Sequence, residues 1–141
     1  MISKSPMRAP QMHNVPGTVV VDLPAALERI GGDRQLFREL ALIFVEDSPA
    51  LLESLRVSLA NQDRPLVERC AHGLKGIAAN VGGVRVERTA VVVEDAARAG
   101  QLQIADIGFQ TLSVELERLI DELRRMLVDV GASEPLDAAN E

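Results

Sequence analysis

Apolar residues recur along most of this chain at intervals of three and four, the spacing of one face of an α-helix. The pattern predicts five helices, each begun or ended by a residue suited to that place. Aspartates at the starts can cap the first three, and glycines or a polar turn follow the ends. The predicted helices cover residues 22–30, 33–59, 63–81, 84–99 and 105–130. Four long helices after a short one predict an all-α fold, an antiparallel four-helix bundle with a short additional N-terminal helix.

The pattern is absent at both ends of the chain. Residues 1–17 contain three prolines and no periodicity, so we interpret 1–21 as a flexible linker or tail in which 18–21 could pair briefly as a strand. The bundle is expected over 22–130, with a disordered acidic tail over 131–141. Within the second helix, Ser48-Pro49 predicts a kink or a restart, because proline disfavours helix at the residue before it.

Composition narrows the class of protein. Hydrophobic residues make up 47% of the chain and aromatic residues 2%, which suits helix packing better than a β-sandwich. The net charge of -6 argues against nucleic-acid binding. No apolar run approaches the roughly 18 residues that span a bilayer, so we expect a cytoplasmic protein without direct membrane contact. One cysteine and two histidines on separate segments predict neither an intrachain disulfide nor a metal site.

The third helix carries the candidate chemistry. With Cys70 set at zero, the apolar residues of this helix fall within about 60° of it, so this stripe faces the core and Cys70 is interpreted as a buried small hydrophobe. His72 falls at about 200°, on the exposed side. An exposed histidine is more often incidental than functional, so its neighbours decide the interpretation.

Those neighbours favour chemistry at His72. Lys75 lies one turn on, on the solvent side, where we expect it to meet negative charge only when a phosphoryl group is bound. Gly73 and Gly76 each weaken the helix by about 1 kcal/mol relative to alanine, and such departures from local rules occur at functional sites. Gly76 and Ala79 keep the exposed surface flat. An accessible neutral imidazole beside a cation is suited to phosphoryl relay.

The run Ala-His-Gly-Leu-Lys-Gly at 71–76, continued by 78–82, resembles the signature of histidine-containing phosphotransfer (HPt) domains. The resemblance covers roughly residues 22–128 and includes the segments 30–33, 44–49 and 94–100. It implies that His72 is phosphorylated on Nε2, that Lys75 stabilises the phosphoryl group, and that Glu94 supports the imidazole from the next helix. Gly73 and Ile77 depart from the residues usual at their positions, which bears on helix stability and partner choice.

The resemblance also implies partners. A response-regulator receiver domain would supply the aspartate and its Mg²⁺, so no cofactor is expected in this chain. The length and proline-bearing start fit the C-terminal domain of a hybrid sensor histidine kinase, tethered through that kinase to the inner membrane. A freestanding protein is the open alternative, and in either case we expect a monomer. The residues expected to meet the receiver domain are Glu68, Arg69, Gly73, Gly76 and Ala79.

Alternatives remain at this point. Glu94 could be a solvated helix residue, and Glu68 and Arg69 could be ordinary surface charges. The chain could be a helical interaction module that binds a signalling partner without phosphotransfer. An enzyme with His72 as general base ranks last, since no paired acid is visible. The chain also has no phosphate-binding loop for a nucleotide, so we expect a phosphocarrier without autonomous catalysis.

Overall fold

Three aspartates begin the first three helices of the computed structural model, which describes the backbone of residues 19–140 and the side chains of residues 19–129. The side chains of Asp22, Asp33 and Asp63 each accept a hydrogen bond from the backbone N–H three residues later, at 3.0–3.3 Å. Each bond satisfies an amide that the first turn would otherwise leave without a partner. The helices are α1 (Leu23–Arg29), α2 (Arg34–Ala60), α3 (Arg64–Asn80), α4 (Val84–Arg98) and α5 (Leu102–Asn140). The predicted all-helical fold is confirmed.

Glycines in the left-handed region follow the ends of three of these helices, and the first is Gly31, after α1, with a φ of 71°. Gly82 follows α3 with a φ of 72° and Gly100 follows α4 with a φ of 77°, a conformation that costs other residues a steric penalty. The carbonyl of Gly82 also accepts a hydrogen bond from the backbone N–H of Asp22 at 2.7 Å. That bond fastens the start of α1 to the turn between α3 and α4.

The four long helices pack side by side, with α2 against α3 and α5, and α4 against α3 and α5. Connections of three or four residues join consecutive helices, so neighbours run antiparallel. Alanines on both sides of the α3–α4 contact are fully buried, whereas α5 supplies leucines to the core. The alanines are Ala71, Ala78, Ala90 and Ala97. Small side chains let two helices approach closely, which brings polar residues at the edge of this contact within bonding distance.

The predicted linker is wrong at its last residues. Val20 and Val21 are half-buried and pack against the core, and residues 19–22 form no strand. The remainder of the predicted linker, residues 1–18, lies outside the described residues. The two valines are apolar, and burying them beside α1 removes that surface from water.

The helix α2 runs unbroken through Pro49, so the predicted restart is wrong. Proline removes one backbone hydrogen bond from a helix interior. Phe44 and Leu55, on either side of it, are nevertheless buried on the same face of α2. A break at Pro49 would rotate one of them out of the core, and the packing of both holds the helix together.

The helix α5 continues through Asn140, so the backbone of 131–140 is helical where a disordered tail was predicted. Once a helix is nucleated, each added residue gains a backbone hydrogen bond without a new nucleation cost. Despite the length of α5, none of the helices in the described part of the chain is both long and apolar enough to cross a membrane.

Candidate functional site

His72 lies on the solvent side of α3 with 66% of its side chain exposed. Val67, Cys70 and Leu74 are buried on the opposite side of the same helix, as the helical spacing predicted. Burial raises the pKa of the Cys70 thiol, which keeps it neutral, so the prediction of a buried small hydrophobe is confirmed. The histidine ring is therefore the accessible nucleophile of this helix.

Glu94 of α4 reaches the imidazole from the α3–α4 interface. Its Oε2 lies 2.8 Å from Nδ1 of His72, and only 5% of its side chain is exposed. The alternative of a solvated helix residue is wrong. A carboxylate can only accept hydrogen bonds, so we assign the ring proton to Nδ1 and the free lone pair to Nε2.

Lys75 binds the other oxygen of the same carboxylate. Its Nζ lies 3.0 Å from Oε1 of Glu94, and 30% of its side chain is exposed. The expectation that Lys75 meets negative charge only when a phosphoryl group is bound is therefore wrong. The close approach of α4 brings Glu94 to the edge of α3, which helical spacing on α3 alone could not reveal.

Arg98 is a member of this cluster that the sequence analysis missed. Its Nη2 lies 3.0 Å from Oε2 of Glu94, one turn earlier on α4. The same guanidinium binds Glu68 of α3 through Nε at 2.9 Å and Asp95 of α4 through Nη1 at 3.2 Å. The spacing of four residues between Glu94 and Arg98 is a signal for a helix ion pair that could have indicated the contact.

The charge state of Glu94 follows from these contacts. Burial raises the pKa of its carboxyl group, but hydrogen bonds from Lys75 and His72 outweigh that effect and bring the pKa below its usual range. Glu94 is therefore ionised at neutral pH. An ionised Glu94 keeps the proton of His72 on Nδ1 and leaves Nε2 facing solvent.

The surface around the imidazole is open on one side. Apart from its chain neighbours and the nearby backbone of α3 itself, no atom lies within 4 Å of the position a Cβ would take at Gly76, and Gly76 is exposed. Arg69 is exposed as well, while Glu68 and Ala79 are half-buried. These four residues share the face of His72 by the helical period, and their contact with a receiver domain stays a prediction.

Gly73 is placed differently from the other predicted docking residues. It is half-buried, and a Cβ at this position would lie 3.3 Å from Cδ2 of Leu51 on α2. The close approach of α2 to α3 at this point therefore explains a residue without a side chain at position 73. Ile77, the second departure from the family pattern, is half-buried and packs against the core.

Metal-binding side chains are not gathered at this site. Within the described residues, no group of three or more His, Cys, Asp or Glu side chains could hold a metal ion. His13 lies outside those residues. The cluster is instead a carboxylate with one imidazole and two cations around it.

Residues 39–126 match the model of a protein family described as Hpt domain. This segment is more than half of the chain and contains the whole cluster around Glu94. The chain belongs to the Hpt domain family. Hpt domains carry a phosphoryl group in two-component phosphorelays and interact with receiver domains. They are carriers and not catalysts. The match confirms the predicted family and its phosphorelay context.

Two solved structures share the fold of this Hpt domain. Histidine-containing phosphotransfer protein B (HptB) from Pseudomonas aeruginosa PAO1 is 23% identical, with a TM-score of 0.73 over 79% of this chain and 97% of that chain. The HPT domain of the Hpt sensor hybrid histidine kinase from Shewanella is 17% identical, with a TM-score of 0.70 over 78% of this chain and 95% of that chain. At these identities the likeness shows the fold. No curated protein matches the chain.

Proposed function

We propose that His72 accepts a phosphoryl group from the aspartyl phosphate of a receiver domain and passes it to a response-regulator aspartate. The observation that supports this most is the bond between His72 Nδ1 and the buried carboxylate of Glu94. It fixes the ring orientation and the tautomer while Nε2 stays in solvent. A nucleophile held in this way loses little freedom when a partner docks.

The phosphoryl transfer requires no loss of a proton from the imidazole ring. The lone pair of Nε2 attacks phosphorus, the N–P bond forms, and the P–O bond to the aspartate breaks with its electron pair returning to the carboxylate. Positive charge develops on the imidazole as the new bond forms. Glu94, which accepts the Nδ1 proton in a hydrogen bond, stabilises that charge. The return reaction reverses these steps.

Lys75 and Gly76 serve the incoming group in different ways. Lys75 places a cation one turn from His72, where it can bind phosphoryl oxygens. Gly76 leaves room for the receiver domain to bring its phosphorus within about 3–3.5 Å of Nε2. In this proposal the receiver domain contributes the aspartate and the Mg²⁺, and this chain contributes the nucleophile and the surface.

The test is incubation with a phosphorylated receiver domain, followed by mapping of the phosphate. We expect an acid-labile, alkali-stable phosphoramidate on His72 and no label on His72→Gln, which should keep its helical spectrum and its unfolding transition. His13→Gln is the matched control, because His13 and His72 are the two histidines of the chain. It should be labelled normally.

Two results would overturn the proposal. Normal labelling of His72→Gln would place the phosphate elsewhere. Binding of a receiver domain without transfer, equally strong for His72→Gln and the unsubstituted protein, would show an interaction module that makes no use of the imidazole.

A further inference from the structure

Glu94 is bound by two cations that differ in how firmly they are held. Within the described part of the chain, its Oε1 is bound by Lys75 alone, at 3.0 Å. Its Oε2 is bound by His72 Nδ1 at 2.8 Å and by Arg98 at 3.0 Å. Loss of Lys75 from Oε1 would therefore leave Oε2 with both of its partners, so the orientation of the imidazole does not depend on the lysine.

Lys75 is the cation that is free to move. Among the described residues Glu94 is its sole ionic partner, and a lysine ammonium on a four-carbon stem turns easily. It follows His72 by one turn of α3, and the neighbouring Gly76 has open space where a side chain would be. A phosphoryl group on His72 would add negative charge on the same exposed face of α3 and attract the ammonium.

Arg98 is the cation that is fixed. Its guanidinium contacts three carboxylates, those of Glu94 and Asp95 on α4 and that of Glu68 on α3, at 2.9–3.2 Å. These contacts use Nε, Nη1 and Nη2 together, a fork that a planar guanidinium holds rigidly. Although 57% of its side chain is exposed, the three carboxylates together hold its guanidinium in one position.

We propose that Arg98 is a positioning residue that holds the Glu94 carboxylate while Lys75 exchanges from Glu94 to the phosphoryl group on His72. The proposal rests on the phosphotransfer function proposed above and adds a step within the same site. A buried carboxylate that loses its last cation is strongly destabilised. With Arg98 in place, Glu94 keeps one cation when Lys75 leaves, so the cost is smaller and Glu94 keeps the imidazole oriented in both states.

A double-mutant cycle tests the exchange. The ratio of phosphorylated Hpt domain to phosphorylated receiver domain is measured at equilibrium for Lys75→Met, Arg98→Met and the double variant. Arg98→Met should lower the ratio about tenfold in the unsubstituted protein, because Lys75 must then choose between Glu94 and the phosphoryl group. In the Lys75→Met background it should change the ratio by less than about twofold. Arg98→Lys keeps the charge but not the planar fork, so it should restore only part of the loss.

Arg56→Met is the matched control. Arg56 is also 57% exposed and also pairs with an acid three residues away, Glu53, but has no buried carboxylate as partner. It should leave the ratio unchanged. An equal effect of Arg98→Met in both backgrounds would overturn the proposal, since a merely structural arginine, or one that itself binds the phosphoryl group, acts without Lys75.

A second measurement does not need a receiver domain. Phosphoramidate is the probe, because it can phosphorylate histidine chemically, and the chain has two lysines, Lys4 and Lys75. With isotope-labelled lysine, phosphorylation should shift the side-chain resonances of Lys75, leave those of Lys4 in place, and shift neither in His72→Gln. Unmoved Lys75 resonances would overturn the exchange. Absence of transfer from receiver domains, with this shift present, would instead refute the proposed function alone.

Discussion

Replacing Gly76 by Gln should raise stability and block function at once. Gly76 lies inside α3, where glycine is about 0.5–1 kcal/mol less favourable than a straight-chain residue. Nothing within 4 Å opposes a Cβ there, so the gain should be realised. For a domain of this size it corresponds to a melting temperature higher by about 2–6 °C.

The same side chain should stand in the path of the receiver domain. Attack by Nε2 of His72 requires the phosphorus within about 3–3.5 Å, and displacement by about 1 Å can slow such a step a hundredfold. We therefore expect phosphotransfer to Gly76→Gln to fall by about a hundredfold. The assays are thermal unfolding followed by circular dichroism, and single-turnover transfer from a phosphorylated receiver domain.

Gly73→Ala is the comparison variant, because its Cβ would lie 3.3 Å from Leu51 and should yield a smaller gain or a loss in melting temperature. A lower melting temperature for Gly76→Gln would mean that Gly76 is needed for packing. Transfer at the normal rate would mean that the docking surface lies on another side of α3. Either result would refute the placement of Gly76 on an open surface beneath the receiver domain.

Three further predictions concern the cluster and its supports. Lys75→Met should slow transfer about tenfold and also lower the free energy of unfolding by about 1–3 kcal/mol, measured in urea, because buried Glu94 loses a charged partner. The lowered pKa of Glu94 means that its ion pairs stabilise the fold fully above its ordinary pKa of 4.5 and lose this effect as pH falls through the lowered pKa. The unfolding free energy, measured in urea, should therefore fall more steeply between pH 6 and 3 for the unsubstituted protein than for Glu94→Gln. Parallel pH curves for the two proteins would contradict this prediction. Gly82→Ala should cost at least about 2 kcal/mol of unfolding free energy, since its φ is positive and its Cβ would overlap the Asp22 carbonyl. An unchanged urea midpoint would refute that.

Local chemistry in the sequence determined where the helices begin and end. An aspartate at 22, 33 or 63 caps the amides that follow it, and a glycine at 82 or 100 adopts a conformation closed to most residues. Both effects act within one turn, so no knowledge of the neighbouring helices was needed. The exposed position of His72 followed in the same way from the helical period of α3. The resemblance around it then indicated phosphotransfer.

The partners of His72 were decided by the tertiary structure. The helical period gives the angle of a residue about its own axis, but not the rotation and shift of the helix beside it. Glu94 is 22 residues from His72, and its burial and its bonds to Lys75 and Arg98 exist because the alanine-lined helices α3 and α4 approach closely. The same limit applies to Pro49, whose local effect predicts a break in the helix. Buried residues on both sides of it keep the helix continuous, because the packing of one continuous face outweighs one lost backbone hydrogen bond.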